Sequence, residues 1–181
     1  ANTDASNVEA PLLLAARRGC VEVARSLLQA GADANARSRD VVRETALHAA
    51  IAAGHDSLAC FLARNGADVN LPTQHGDTPL HYAARWSRSA ELMDTLIGQG
   101  ALSAVNLLGH SPLHVAVCRR SSFVVDCLLQ TGRTHCVCAG DRRRRSETPL
   151  HAASRLGDAE VAQKLLQGGF TVDEVDATGK T

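Results

Sequence analysis

"DTPLHYAARW", residues 77–86, decides the fold of this chain. Threonine followed by proline marks a helix start. Thr78 can cap the free amides, and Pro79 takes the first helical position, where its missing N–H costs nothing. The Ala83-Ala84 pair lets this short helix lie close to its neighbours. The pattern recurs as "APLL" at 10, "TALH" at 45, "SPLH" at 111 and "TPLH" at 148, so successive copies start 35, 33, 33 and 37 residues apart. Self-similarity at such a period signals stacked repeats.

Each copy continues in the same way. A Gly-His or Gly-Asp turn follows, as at Gly54-His55 and Gly157-Asp158. A second helix then carries paired leucines on one face, in "SLLQAGADAN", "CFLARNGADVN", "TLIGQGA", "CLLQTG" and "KLLQGGF". Gly31, Gly66, Gly100 and Gly132 are placed to end it in the left-handed C-cap conformation. Polar residues such as Asn70 to Asp77 then form a projecting hairpin. One unit cannot bury its own leucine face, so stacking is obligatory. Thr181 lies 33 residues beyond Thr148, at the threshold of a further copy.

These recurring motifs resemble the ankyrin repeat family from about Val8 to Thr181. The resemblance implies an all-α solenoid of helix–turn–helix units joined by β-hairpin-like loops. Residues 1–7 would be a flank and 8–181 a single domain, with repeats at about 8–40, 41–72, 73–105, 106–142 and 143–175 and the start of another at 176–181. Leu13 stands in place of the motif histidine, as expected of an N-terminal cap. Ala46 replaces the proline of the second copy. In the third, Ser87-Arg88 replaces Gly-His and leaves that turn's geometry open.

Composition agrees with a repeat array. Of 181 residues, 45% are hydrophobic but only 3% aromatic, so the core must be Ala, Leu and Val. The 19 basic and 19 acidic residues balance, which argues against bulk attraction to nucleic acid or membranes. Seventeen of the basic residues are Arg, the residue of planar, bidentate carboxylate and phosphate contacts. Cysteines at 20, 60, 118, 127, 136 and 138 form no disulfide framework and suggest a reduced, intracellular protein, cytoplasmic with a nuclear setting also open. No apolar run approaches a bilayer span, and no secretory leader precedes Ala10. Ala1 is not methionine, as expected of an excerpt or a processed form.

Chemical candidates are few. His48, His81, His114 and His151 recur once per repeat, and the resemblance implies that they hydrogen-bond backbone between neighbouring repeats. Cys60 and Cys127 read as small buried hydrophobes. His135-Cys136-x-Cys138 is the best metal candidate, but it lacks the usual zinc spacing and a second pair. Neither a nucleophile elbow nor a phosphate loop nor a paired carboxylate occurs. The expectation is therefore no enzyme, no cofactor and no metal.

The same resemblance places partner binding on a concave face of first-helix positions and hairpin tips. Phase assigns to it Arg17-Arg18, Ala52-Ala53, Arg85-Trp86, Cys118-Arg119 and Arg155-Leu156. The tips contribute Gln74, His75 and Asp77, then Leu107, Leu108 and His110, then Arg144, Arg145 and Glu147. Trp86 reads either as an interface anchor or as packing over the Ser87-Arg88 turn. Arg142 to Arg145 fall in a loop insertion with four readings: a solvated loop, a contact for an acidic partner, a nuclear-localisation or nucleic-acid patch, or the basic flank of a kinase site at Ser146. Asn35 and Asn70 sit in "GADAN" and "GADVN" with Leu27 and Leu62 eight residues upstream, a context resembling that of ankyrin asparagine hydroxylation. Together these imply a module binding an acidic or phosphorylated protein or peptide, with a substrate-recruiting or regulatory segment of a larger enzyme, such as a ubiquitin ligase or a kinase, as the alternative. Nucleic acid, with only the arginines in its favour, is the weakest reading.

Overall fold

The computed structural model describes residues 10–101, 104–131 and 147–173. Among them ten helices form five consecutive pairs: α1 (Pro11–Arg18) with α2 (Val21–Gln29), α3 (Ala46–Ala52) with α4 (Asp56–Arg64), α5 (Pro79–Trp86) with α6 (Ala90–Gly98), α7 (Pro112–Cys118) with α8 (Ser122–Gln130), and α9 (Pro149–Leu156) with α10 (Ala159–Gln167). First helices pack in a row, α1 on α3, then α5, α7 and α9, while α4, α6, α8 and α10 make a second row. The molecule is a helical solenoid.

Small side chains allow the first row. Ala16, Ala50, Ala83, Ala116 and Ala153 are fully buried where successive first helices meet. Larger residues fill the layer between the rows, including Leu58, Leu62, Leu92, Met93, Leu96 and Leu165. Such burial contributes roughly 25 cal/mol per Å² of apolar surface. It comes from contacts between units, because each helix pair alone would leave its leucines in water.

The first helices α3 and α5 start with a reciprocal cap, whereas α1 starts at Ala10 without a side-chain cap. In α5 the His81 Nδ1 accepts the backbone N–H of Thr78 at 3.1 Å, with Thr78 Oγ1 2.9 Å from the same nitrogen. In α7 and α9 the hydroxyls of Ser111 and Thr148 accept the N–H of His114 and His151. Histidine thus takes the third-position role that Glu or Gln fills in a capping box. Among the second helices, Gly66 has φ +95°, and the Ala67 N–H returns to the Leu62 carbonyl at 3.1 Å, which closes the end of α4. Gly132 lies outside the described residues.

The connections between pairs project as fingers. Among the described residues their only β pairing is an isolated bridge between Arg37 and Thr45. The three described fingers each close on themselves, for instance through Thr73 N–H to the Asp77 carbonyl at 2.9 Å. Neighbouring fingers are tied by backbone bonds, Gln74 N–H to the Val42 carbonyl and Leu107 N–H to the His75 carbonyl, each 2.9 Å. They approach so closely that a Cβ on Gly76, whose φ is +79°, would lie 2.9 Å from the Leu107 nitrogen. Only glycine fits there.

Among the described residues, no helix is long and apolar enough to cross a membrane. Leu128 in α8 is 3% exposed. Leu128→Ala should therefore cost roughly 2–5 kcal/mol in a urea titration, the range of buried leucine truncations. A loss below about 0.5 kcal/mol, typical of surface changes, would show that α8 does not hold the array together.

A candidate protein-binding face

The motif histidines build the frame on which this face sits. The Nε2–H of His48 donates to the Asp77 carbonyl at 3.2 Å, and that of His81 to the His110 carbonyl at 2.9 Å. A carbonyl only accepts, so the proton is on Nε2 and Nδ1 is free to accept from the cap. The Glu147 backbone lies close enough to the His114 ring to favour its charged form slightly. Among the described residues, the buried Nε2 of His151 has no hydrogen-bond partner. In the first pair Leu13 is buried instead, and the tie runs the other way: the His55 Nε2–H donates to the Arg17 carbonyl at 3.2 Å.

Burial fixes the charge state of these rings. It pushes the pKa of His48 and of His114 down to about 4, with Arg37 adding to the effect at His48 and the stacked His110 at His114. Burial also lowers His81 and His110.

The finger tips differ from one another. His75 is exposed. Leu107 and Leu108 are 53% and 66% exposed, a sizeable apolar pair in solvent. His110 is half-buried, its ring stacked on His114 with centroids 4.3 Å apart. Asp77 corrects the sequence expectation: it is 7% exposed, and its Oδ1 accepts from Asn106 Nδ2 at 2.7 Å. It joins two fingers from inside and offers nothing to a partner. Arg144, Arg145 and Ser146 lie outside the described residues, as do His135, Cys136 and Cys138. Among the described residues, no group of three or more His, Cys, Asp or Glu side chains is placed to hold a metal ion.

Five arginines, Arg17, Arg18, Arg85, Arg119 and Arg155, lie on the first helices or at their ends, and four of them fall into two kinds of setting. Arg17 pairs with Glu44 at 2.5 Å and Asp40 at 3.6 Å. Arg155 grips Glu147 with two bonds of 3.0 and 3.1 Å. Between these ends, Arg85 is half-buried, and the Arg119 guanidinium lies over the Trp86 ring, 5.1 Å from its centroid. Such stacking holds the cation in place. Trp86 remains 50% exposed, and Ser87 fills the turn in its stead. The Ser87 hydroxyl donates to Asp56 Oδ2 at 3.1 Å and accepts the Ser89 N–H at 3.0 Å. Sequence reasoning missed two residues nearby. Arg120 has φ +53° at the position where other copies have the turn glycine, and its guanidinium donates to the Leu156 carbonyl. The signal was present in the phase, since Arg120 aligns with Gly19, Gly54 and Gly157. Arg88, at the histidine position of the turn, is exposed beside it.

Stacked helix pairs with a row of fingers define a repeat solenoid whose variable positions share a face. Comparison with known proteins makes this specific. The family model "Ankyrin repeats (3 copies)" matches residues 12–103 and 87–178, and the chain belongs to the ankyrin repeat family. It is similar to Rabankyrin-5 of Mus musculus, 30% identical over 151 residues covering 76% of this chain and 13% of that protein. It is also similar to neurogenic locus notch homolog protein 1 of Homo sapiens, 36% identical over 146 residues, 80% of this chain and 6% of that protein. The human ankyrin repeat and SOCS box protein 16 is 30% identical over 213 aligned residues, 95% of this chain and 46% of that protein. The chain therefore spans a minor part of the length of each. Ankyrin repeats generally serve as protein-interaction modules.

The histidine frame carries a pH dependence with a definite sign. An unfolded chain protonates these imidazoles near 6.5, whereas folded His48 and His114 resist until about 4. Their stability contribution is complete above about pH 6.5 and is lost as pH falls toward 4, roughly 3 kcal/mol each. Urea midpoints at intervals between pH 7.5 and 4.5, pH values chosen to span that window, should fall steadily. A flat profile would mean that these rings are not held neutral.

Proposed function

We propose that this chain is the partner-binding segment of a longer protein, holding an acidic or phosphorylated protein segment along the face that carries the finger tips and first-helix ends. The supporting observation is the half-exposed Trp86 under Arg119, with Arg85 next to it in α5, together with Leu107 and Leu108 exposed on the finger that joins the same two helix pairs. Trp and Arg anchors flanked by apolar side chains are the residue types that dominate interface energetics. His75, the half-buried His110 and Arg155 would frame the contact, and Arg144 and Arg145 would extend it toward the fifth copy. Nothing in this reading requires chemistry from the segment itself.

A second reading has its own support. The relatives are named for other modules, among them a SOCS box and, in the Caenorhabditis elegans poly [ADP-ribose] polymerase tankyrase, an enzyme activity. The array would then recruit or position a substrate for a catalytic partner, a ubiquitin ligase or a kinase being examples. Both readings use the same face.

Affinity capture followed by surface plasmon kinetics tests the proposal. Trp86→Ala and Arg119→Ala should each speed dissociation, at a cost of about 2 kcal/mol or more. Replacing Arg143, Arg144 and Arg145 by Ala should mainly slow association and flatten the salt dependence, since exposed charges are screened beyond about 8–10 Å. Normal binding by Trp86→Ala together with loss in Gln130→Glu, on α8, would move the site to the opposite side.

We also propose Asn35 and Asn70 as hydroxylation sites. Each side chain donates to the end of the next repeat, Asn35 Nδ2 to the Gly66 carbonyl at 3.3 Å and Asn70 Nδ2 to that of Gly100 at 3.2 Å. Peptide mass analysis of protein from native cells should find one added oxygen on one or both. Unmodified peptides from oxygenated cells would count against it.

A further inference from the structure

Between the third and fourth helix pairs the turns open into a cleft of about 510 Å³, lined by Arg85, Trp86, Arg88, Arg119, Arg120 and Phe123 among others, and no acidic side chain lines it. That volume lies within the range of ligand clefts. In the first, second and fifth pairs the corresponding turn carries a glycine of positive φ, Gly19, Gly54 and Gly157. The two turns that border the cleft are the ones that depart from this. Ser87 is extended, with φ −88° and ψ 151°, which leaves Trp86 and Arg88 at the mouth. Arg120 holds φ +53°, a conformation that side chains enter only at a cost, and its guanidinium is anchored on the Leu156 carbonyl. Backbone strain of this kind collects at functional sites.

The charges in the cleft are uncompensated. Among the described residues, Arg85, Arg88 and Arg119 form no ion pair. Of the neighbouring acids, Glu91 pairs with Arg64 and Glu160 with Lys164 and the Ser122 hydroxyl, while Asp56 meets the Ser87 hydroxyl through Oδ2 and keeps a buried Oδ1 without a partner among the described residues. The N-terminus of α8 also opens here, through Ser121, Ser122 and Phe123. The other second helices carry an acid in their first turn, Glu22, Asp56, Glu91 or Glu160, whereas α8 carries none. A helix start without its own carboxylate adds to the positive field.

We propose that this cleft binds a phosphorylated serine or threonine in a segment of the partner protein, with Arg85, Arg88 and Arg119 on the phosphate and Trp86 and Phe123 against the flanking residues. Several arginines lining one cleft with no acidic residue among the lining suit a dianion better than a single carboxylate, and their planar forks match phosphate oxygens. A protein segment is favoured as its source because Arg85, Trp86 and Arg119 belong both to the cleft and to the face above. The inference rests on the proposed function in this respect: the phosphorylated residue sits on the protein held by that face.

Short peptide libraries with a central phosphoserine or phosphothreonine, and matched libraries with Ser, Thr or Glu, test it by fluorescence polarisation. Phosphopeptides should bind, with the Glu and unphosphorylated libraries weaker by about tenfold or more. Arg88→Ala and Arg119→Ala should each weaken binding by a similar factor, with unchanged thermal melts, while Arg25→Ala on α2 should have no effect. Trp86 is the single tryptophan, so its emission should shift on saturation by phosphopeptide in the unmodified protein and in Arg25→Ala. Equal binding of the Glu library, or no preference for phosphate, would overturn the proposal. So would stronger binding of inositol trisphosphate than of any phosphopeptide, which would make the cleft a headgroup site. If phosphatase treatment of a captured partner leaves capture intact while Trp86→Ala abolishes it, this inference fails and the binding face stands.

Discussion

The hydrogen bond from a motif histidine to the next finger is the constraint on which the array depends. One imidazole closes the cap of its own helix through Nδ1 and reaches a carbonyl 29 residues on through Nε2–H, as in His48 to Asp77 and His81 to His110. Both bonds require a neutral ring in a single tautomer, and burial supplies the neutrality. The spacing between helix start and finger is therefore held at each step. A repeat shifted by one residue would lose its cap or its strut. Because each strut reaches only the adjacent unit, stability is spread along the chain in nearest-neighbour terms.

That economy decides where variation is tolerated. Alanines pack the first helices together, and the fingers' backbone groups are used on each other, so first-helix ends and finger tips are left free. Their arginines then divide by position. At the ends of the row Arg17 and Arg155 are tied to Glu44 and Glu147. Exposed pairs of this kind add little to stability, but they neutralise the ends of the face. In the middle, Arg85 and Arg119 form no ion pair among the described residues, and Arg119 is steadied by Trp86. Positive charge, an aromatic ring and two exposed leucines thus meet within one stretch of the array. The two irregular turns lie beneath that stretch, and the array gives up its regular glycine turn only there.

The sequence by itself determined the period, the helix starts and the helix ends. These follow from rules that act within a few residues: a hydroxyl before proline, a histidine three positions after the cap, and glycine where the chain must enter the left-handed region. It also determined that the units stack, since paired leucines on one face of a short helix have nowhere else to go. Tertiary structure alone decided what each variable residue does. Asp77 reads as an exposed tip, yet Asn106, on the next finger, converts it into a buried strut. Arg120 carries no mark in the sequence beyond its phase, yet the Leu156 carbonyl holds it in a turn that other copies give to glycine. Trp86 reads either way in the sequence, and the bonds of Ser87 within the turn leave its ring half-exposed. Each of these outcomes depends on a partner in another part of the chain, about 30 residues away for Asp77, Arg120 and Ser87. Capping and glycine preferences are local energies and leave a local mark in sequence. Burial and charge neutralisation depend on which neighbour the stacking brings near, and they exist only once the repeats are assembled.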